Sequence, residues 1–286
     1  MTPSLLVTGA TGTVGRSLIS SLVSAGVEVG AASRRPAPPV SPLVTPVRLD
    51  FTDPSTWDAF TGVRTLFLVR PPELARPQRD LFPALAASVR AGLRHVVFLS
   101  VQGVERLRVV PHARIEAWLR ASGLGWTFLR ASFFDQNLIT VHGAQVRERD
   151  ELIMPAGQGR TAFVDAHDLA EVAAQAMLDP ATADGQAWTL TGSEALTYGE
   201  VAGIMTAVLG RPIRYAQPGL LRYTLRARRE LAMPAGLVAM TSAVYTTARL
   251  GLAAGLTDEV ARLLGRGPTT MTEFVRRERA AFERTV

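Results

Sequence analysis

Glycines at 9, 12 and 15, within the stretch LLVTGATGTVG that starts at Leu5, are the residues whose type and spacing point most directly to chemistry. An apolar run from Leu5 to Val7 precedes them and an amphipathic stretch from Arg16 to Ala25 follows, so the pattern reads strand, tight turn, helix. In that context GxxGxxG suits the phosphates of a dinucleotide. Gly9 permits the sharp turn, Gly12 lets backbone N–H groups approach the pyrophosphate, and Gly15 lets the helix pack closely on the strand. The helix N-terminus adds its dipole and its free N–H donors. A second strand is predicted at Val27–Ala32, and Ser33, Arg34 and Arg35 follow it, where the adenosine ribose is expected. An acid there would accept from a 2′-OH, whereas arginines attract a 2′-phosphate, so these three residues point to NADP(H), with Arg34 the foremost partner.

The elements that must position these groups alternate at the pace of βαβ units. A third strand, Val44–Leu49, leads into Asp50 and Phe51. Ligands of open α/β sheets lie outside the carboxyl ends of the strands. Asp50 is therefore expected to accept from the adenine amino group and Phe51 to lie against the ring, while Asp53, before Pro54, reads as a cap. The fourth strand, Thr65–Val69, ends in Arg70, which joins the cofactor-binding set; a long helix is predicted from about 75 to 92. The fifth strand, His95–Ser100, places Ser100 where it can hold a substrate oxygen. In the helix predicted from His112 to Ser122, His112 is the one histidine near the site, and its reference pKa of about 6.5 suits proton donation near neutrality. A helix-start capping contact is an equal reading of His112. Arg114 either holds the cofactor ribose or pairs with a carboxylate such as Glu116. The sixth strand, Gly125–Arg130, carries Trp126 and Phe128, readable as an aromatic wall or as core.

Beyond this the rhythm breaks into a loop at 152–159, a short extended piece at 161–164, a helix at 168–178 and a returning strand at 187–190. From Thr197 onward the chain reads as mostly helical. The expected architecture is an α/β, Rossmann-type doubly wound parallel sheet with a smaller helical C-terminal region. The division falls at 1–150 for the dinucleotide-binding domain and 151–286 for a substrate or lid region, with 165–191 packing back on the sheet.

The 286 residues are 47% hydrophobic and 20% charged, which is ordinary globular composition. No uninterrupted apolar run is long enough for a membrane span, and with no cysteine there is no disulfide framework or Cys-ligated metal. His95, His142 and His167 lack metal spacing, and no metal is expected. The first strand begins too early to leave room for a signal peptide, so a cytoplasmic location is expected. The net charge of +6 comes from 31 basic residues, all of them arginine and mostly scattered. That reads as a solvated basic face, and no specific nucleic-acid partner is expected. The expected partner is a small-molecule substrate, bound by a monomer or homodimer.

TGATGTVG at the start, SRR after the second strand and FLS at the end of the fifth carry a family resemblance, with PHARIEAWLRASGLGWTFLRASFFDQN and FVDAHDLA. Together they resemble the NmrA-like, atypical branch of the short-chain dehydrogenase/reductases, whose relatives include NADPH-dependent quinone and triphenylmethane-dye reductases. The resemblance implies that Gly9, Thr11, Gly12, Thr13, Val14 and Gly15 cradle the cofactor. It also implies that Arg34 reads the 2′-phosphate and that Phe133, Phe134 and Asn137 line the nicotinamide and substrate pocket. The better-known short-chain reductases use a Tyr-x-x-x-Lys pair. This chain has no lysine, and its tyrosines, 198, 215, 223 and 245, all lie in the tail; Val110 and Arg114 stand where the pair is expected. The branch includes both NADPH-dependent reductases and non-catalytic NADP(H)-sensing regulators, so both functions are expected alternatives. The reductase reading assigns hydride transfer to a quinone- or dye-like electrophile, since such acceptors need no positioned acid.

Overall fold

The computed structural model describes residues 3–107, 110–229 and 233–284. The central apolar runs read from the sequence form strands buried on both faces, as parallel strands covered by helices must be, while the edge strand Val44–Arg48 exposes Thr45, Pro46 and Arg48. Leu5–Thr8 (β1), Val29–Ser33 (β2), Val44–Arg48 (β3), Thr65–Leu68 (β4), His95–Val101 (β5), Gly125–Ala131 (β6) and Gln186–Leu190 (β10) form one sheet in the order β10-β6-β5-β4-β1-β2-β3. Every pairing in it is parallel. The chain grows outward from β1 in one direction and then from β4 in the other. The order reverses between them, and there the loops after β1 and β4 splay apart to leave a crevice. The fold is the expected doubly wound α/β sheet.

Two compact units divide the chain, Met1–Ala131 with Ala166–Leu190, and Ser132–Asp165 with Thr191–Val286. In the first, the Thr13–Ser24 helix packs on the Ala166–Leu178 helix. The Phe82–Arg90 and Pro111–Ala121 helices bury Leu85, Ile115 and Leu119 with Leu6, Leu66 and Phe98 of the sheet. The helix predicted over 75–92 is instead two, Pro77–Asp80 and Phe82–Arg90. Leu81 leaves the helical region at φ −129°. Pro83 supplies the reason, because it has no N–H to donate to the Arg79 carbonyl and its ring would clash with that carbonyl in a continuous helix.

The second unit is less helical than its sequence suggests. Phe133–Phe134 (β7), Arg160–Val164 (β9) and Ala195–Thr197 (β11) form a three-stranded sheet, and Glu151–Ile153 (β8) pairs with Arg214–Ala216 (β12). Strands of two or three residues are too short to show an alternating pattern. The unit also holds the short helices Asn137–Thr140, Gly143–Arg149 and Arg279–Phe282 and the helices Tyr198–Leu209, Leu220–Arg229, Ala235–Arg249, Glu259–Leu264 and Met271–Arg277. Two of them start on reciprocal capping boxes written in the sequence as T-x-x-E, Thr197 with Glu200 and Thr270 with Glu273. The core of the unit is aromatic, with Phe163, Tyr198, Tyr245, Phe274 and Phe282 buried together. Among the described residues, no helix is long and apolar enough to cross a membrane, and no cluster of His, Cys, Asp or Glu could hold a metal.

Candidate functional site

The glycine turn sits at the reversal point of the sheet. Thr8 ties the ends of β1 and β4 together, its hydroxyl donating to the Phe67 carbonyl and accepting from the Val69 N–H, both at 2.9 Å. Sequence reasoning passed over Thr8; its signal is a polar residue ending a buried apolar run. Gly9 adopts φ +63°, a region that disfavours side chains, and its carbonyl accepts from the Gly12 N–H at 2.8 Å. A Cβ on Gly15 would lie 2.2 Å from the Gly9 carbonyl oxygen, so only glycine lets the helix approach the turn. Gly12 caps the Thr13–Ser24 helix without a side-chain hydrogen bond, and its first turn holds no acid. The N–H groups at Thr13 and Val14 therefore face outward with the positive end of the helix dipole, a cradle for an anion.

A groove of about 390 Å³ opens beside this turn, lined by Gly9, Thr11, Gly12, Ser33, Arg34, Asp50, Phe51, Arg70 and Glu73 among others. The structure thus gathers Gly9, Thr11, Gly12, Ser33, Arg34, Asp50, Phe51 and Arg70 into one wall set; Thr13, Val14 and Gly15 follow in the helix beside it, and Arg35 is exposed and is not part of the lining. The Arg34 guanidinium stands at the groove with Glu73 as its ion-pair partner at 2.9 Å. Asp50 uses Oδ1 to accept from the Thr52 N–H (2.8 Å) and hydroxyl (2.7 Å), so that oxygen shapes the turn after β3. Phe51 is 7% exposed and packs in the core with one part facing the groove. Arg70 is largely committed to its own loop, with Nη1 donating to the carbonyls of Pro71, Pro72 and Leu74. Burial lowers its pKa, and its Nε is buried without a hydrogen-bond partner.

The residues expected to act on substrate are arranged differently from their sequence reading. Ser100 is only 1% exposed, and its hydroxyl donates to Glu116 Oε1 at 2.7 Å. Glu116, itself buried, receives Arg130 in a bidentate pair, Nε to Oε1 at 3.1 Å and Nη2 to Oε2 at 2.8 Å, with Arg120 at 3.4 Å. Glu116 is a residue that sequence reasoning gave only a minor part. Of the two readings of Arg114, the pairing with Glu116 does not form, because Arg114 lies on the exposed side of the helix while Glu116 faces Ser100 and Arg130. His112 stacks on Phe98 with ring centroids 5.8 Å apart. Burial, and then the nearby Arg70 charge, push its pKa down to about 4, so the ring is neutral at neutral pH. Trp126 and Phe128 are not an exposed wall. They stack on each other at 4.2 Å under the Arg120 guanidinium and pack against the core. Phe133, Phe134 and Asn137 are half-buried in the second unit, Phe133 standing edge-on to Phe163 at 5.6 Å.

Residues 1–275 match the model of the NmrA-like family. The chain belongs to the NmrA-like family. This NmrA-like chain is 33% identical over 290 residues to an NAD(P)H azoreductase of Xenophilus azovorans, covering 97% of this chain and 99% of that protein. Among solved structures it resembles the NADPH-dependent quinone oxidoreductase of Escherichia coli complexed with NADPH, at 24% identity and a TM-score of 0.83, covering 96% of this chain and 99% of that one. The triphenylmethane reductase of Citrobacter sp., complexed with NADP(H), is similar at 23% identity and a TM-score of 0.81, with 96% and 99% covered. At these identities the two structures show that the NmrA-like chain shares their fold.

Proposed function

We propose that the chain is an NADPH-dependent oxidoreductase that transfers hydride to a small conjugated electrophile of the quinone, azo or cationic-dye class. The observation that carries this reading is the groove itself, which joins an uncapped helix N-terminus, a glycine turn with no room for a Cβ and an arginine at the ribose end. These features fit a phosphorylated dinucleotide. Backbone N–H groups at Thr13 and Val14 would hold the pyrophosphate, Thr11, Gly12 and Gly15 would shape the cradle, and Arg34 with Ser33 would take the 2′-phosphate. Asp50 has Oδ2 left to accept from the adenine. When bound, the reduced nicotinamide would supply a hydride.

The remaining residues select the acceptor by what they lack. The chain has no lysine. Tyr198, Tyr223 and Tyr245 are buried with their pKa values raised by burial, and Tyr215 is pushed up to about 12. Ser100 is occupied by Glu116, and His112 carries no proton to spare near neutrality. An ordinary ketone needs a positioned acid, typically worth 10²–10⁴-fold. A quinone, azo or dye acceptor takes hydride without one, since the resulting anion is delocalised or is protonated from water. The activities of the relatives, azo and quinone reduction among them, support that class. Phe133, Phe134 and Asn137 are proposed to line the acceptor pocket, and Arg114 to reach the ribose. We place the protein in the cytoplasm as a monomer or homodimer.

The test is thermal unfolding with NADPH, NADP⁺, NADH and NAD⁺ added separately, followed by NADPH oxidation against a panel of quinones and azo dyes. Stabilisation by the phosphorylated pair with steady turnover is the expected result. Binding that differs between redox forms, with no turnover on any acceptor, would replace the enzyme with a cofactor-sensing regulator, the reading that the missing acid favours. No shift with any dinucleotide would remove both.

A further inference from the structure

The loop after β4 brings a carboxylate to the end of the groove where Arg34 stands. Arg70 Nη1 clamps that loop by donating to the carbonyls of Pro71 (2.8 Å), Pro72 (3.0 Å) and Leu74 (3.3 Å). The Leu74 N–H closes a turn on the Pro71 carbonyl at 3.0 Å, and consecutive prolines restrict the backbone before it. Glu73 lies between the clamped carbonyls of Pro72 and Leu74, so the loop fixes where its side chain starts. Its Oε1 meets Arg34 Nη1 at 2.9 Å, and both residues line the groove. The two side chains are 67% and 48% exposed, so the pair is well hydrated and costs little to open. Arg34 is therefore available to an arriving anion, but Glu73 remains beside it.

We infer that Glu73 sets the choice between phosphorylated and unphosphorylated dinucleotides in this groove, by countering the charge of Arg34. The inference rests on the dinucleotide reading of the groove. A 2′-phosphate drawn to Arg34 meets a carboxylate in the same charge cluster, whose repulsion subtracts from the attraction. A ribose without the phosphate finds in that carboxylate an acceptor for its hydroxyls, the role an acid plays at this end of NAD sites. A groove holding both charges discriminates less between NADPH and NADH than Arg34 implies by itself.

Calorimetric titration of the full chain and of Glu73→Gln with NADPH, NADH, 2′,5′-ADP and 5′-AMP tests this. Removing one charge beside a dianionic phosphate at near-solvent dielectric changes affinity by roughly three- to tenfold. The expected result is a shift of that size in the NADPH-over-NADH preference of Glu73→Gln, with 2′,5′-ADP tightening in parallel. Glu73→Asp, which keeps the charge, should keep the wild-type preference, and the melting temperature should not move in either variant. An unchanged preference in Glu73→Gln, with NADPH still binding, overturns the role of Glu73 and leaves the cofactor reading intact. Failure of the unmodified chain to bind any of the four ligands overturns both.

Discussion

The two units solve the same packing problem with opposite materials. In the first, the proposed cofactor site is built on backbone: a turn of glycines, helix N–H groups without a side-chain cap and carbonyls gripped by Arg70 leave a charged groove open. In the second, side chains fill the space. Tyr198 and Tyr245 are buried edge-on at 5.6 Å, and His142 is enclosed with its Nε2 against the Tyr245 hydroxyl. Both units nevertheless rely on glycines where chain meets chain. A Cβ on Gly15 would lie 2.2 Å from the Gly9 oxygen, and one on Gly159 would lie 2.0 Å from the Ala248 oxygen. Close backbone approach by itself therefore does not mark a binding site. The uncapped donors and unfilled volume beside Gly15 are what distinguish it.

The largest expected effects break that comparison directly. Gly15→Ala and Gly159→Ala should each destabilise by about 1–3 kcal/mol or more, because backbone must shift to admit the methyl group. Only Gly15→Ala should also abolish dinucleotide binding, read by calorimetry on the folded fraction at low temperature. Equal loss of binding in both would make the groove a property of the whole chain rather than of the first unit.

Next in size is a pH effect rooted in the second unit. Burial lowers the His142 pKa from 6.5 to about 4 in the folded protein. Between those values the unfolded chain takes up a proton that the folded chain refuses. Stability from this group is thus complete above pH 6.5, falls as pH drops and levels off below about 4, by on the order of 3 kcal/mol in total. His112 titrates over the same window in the first unit. His142→Gln should reduce proton uptake on unfolding at pH 5 by about one, measured from the pH dependence of denaturant midpoints. An unchanged slope would show that His142 is not enclosed.

Arg34→Ala should weaken NADPH by about 10- to 100-fold and NADH far less, as expected for loss of a charged hydrogen bond. Equal weakening of both would remove the 2′-phosphate assignment. The smallest effect sharpens the contrast. Thr197→Ala and Thr270→Ala remove side chains that cap helices of the second unit and should each cost about 1 kcal/mol of stability. Dinucleotide affinity should not change in either variant.

Much of the first unit is legible in the sequence because its signals are local. Gly9, Gly12 and Gly15 announce themselves by spacing, and Arg34 by following a strand. The strands β1, β4 and β5 appear as apolar runs because both of their faces are covered, whereas the edge strand β3 buries only Val44 and Val47. Residues 195–197 and 214–216 gave no such warning, since a three-residue strand exists only through its partner. The site beyond the glycine turn was harder to read for a related reason. Ser100 at the end of a strand carries no sign that Glu116, sixteen positions on, will take its hydroxyl. His112 has an ordinary histidine's pKa on paper, and only the surrounding burial and the Arg70 charge lower it.

Sequence alone determined the parallel sheet, the glycine turn, the arginine that follows the second strand and the absence of a Tyr-x-x-x-Lys pair. Each follows from residue type at fixed spacing along the chain. Tertiary structure decided which side chains are free to act. It turned Ser100 inward to Glu116, turned Arg70 onto its own loop, gave Arg34 a counter-charge in Glu73 and buried Tyr198, Tyr223 and Tyr245. The physical reason is that hydrogen-bond partners and desolvation come from residues distant in sequence, and no local pattern encodes them.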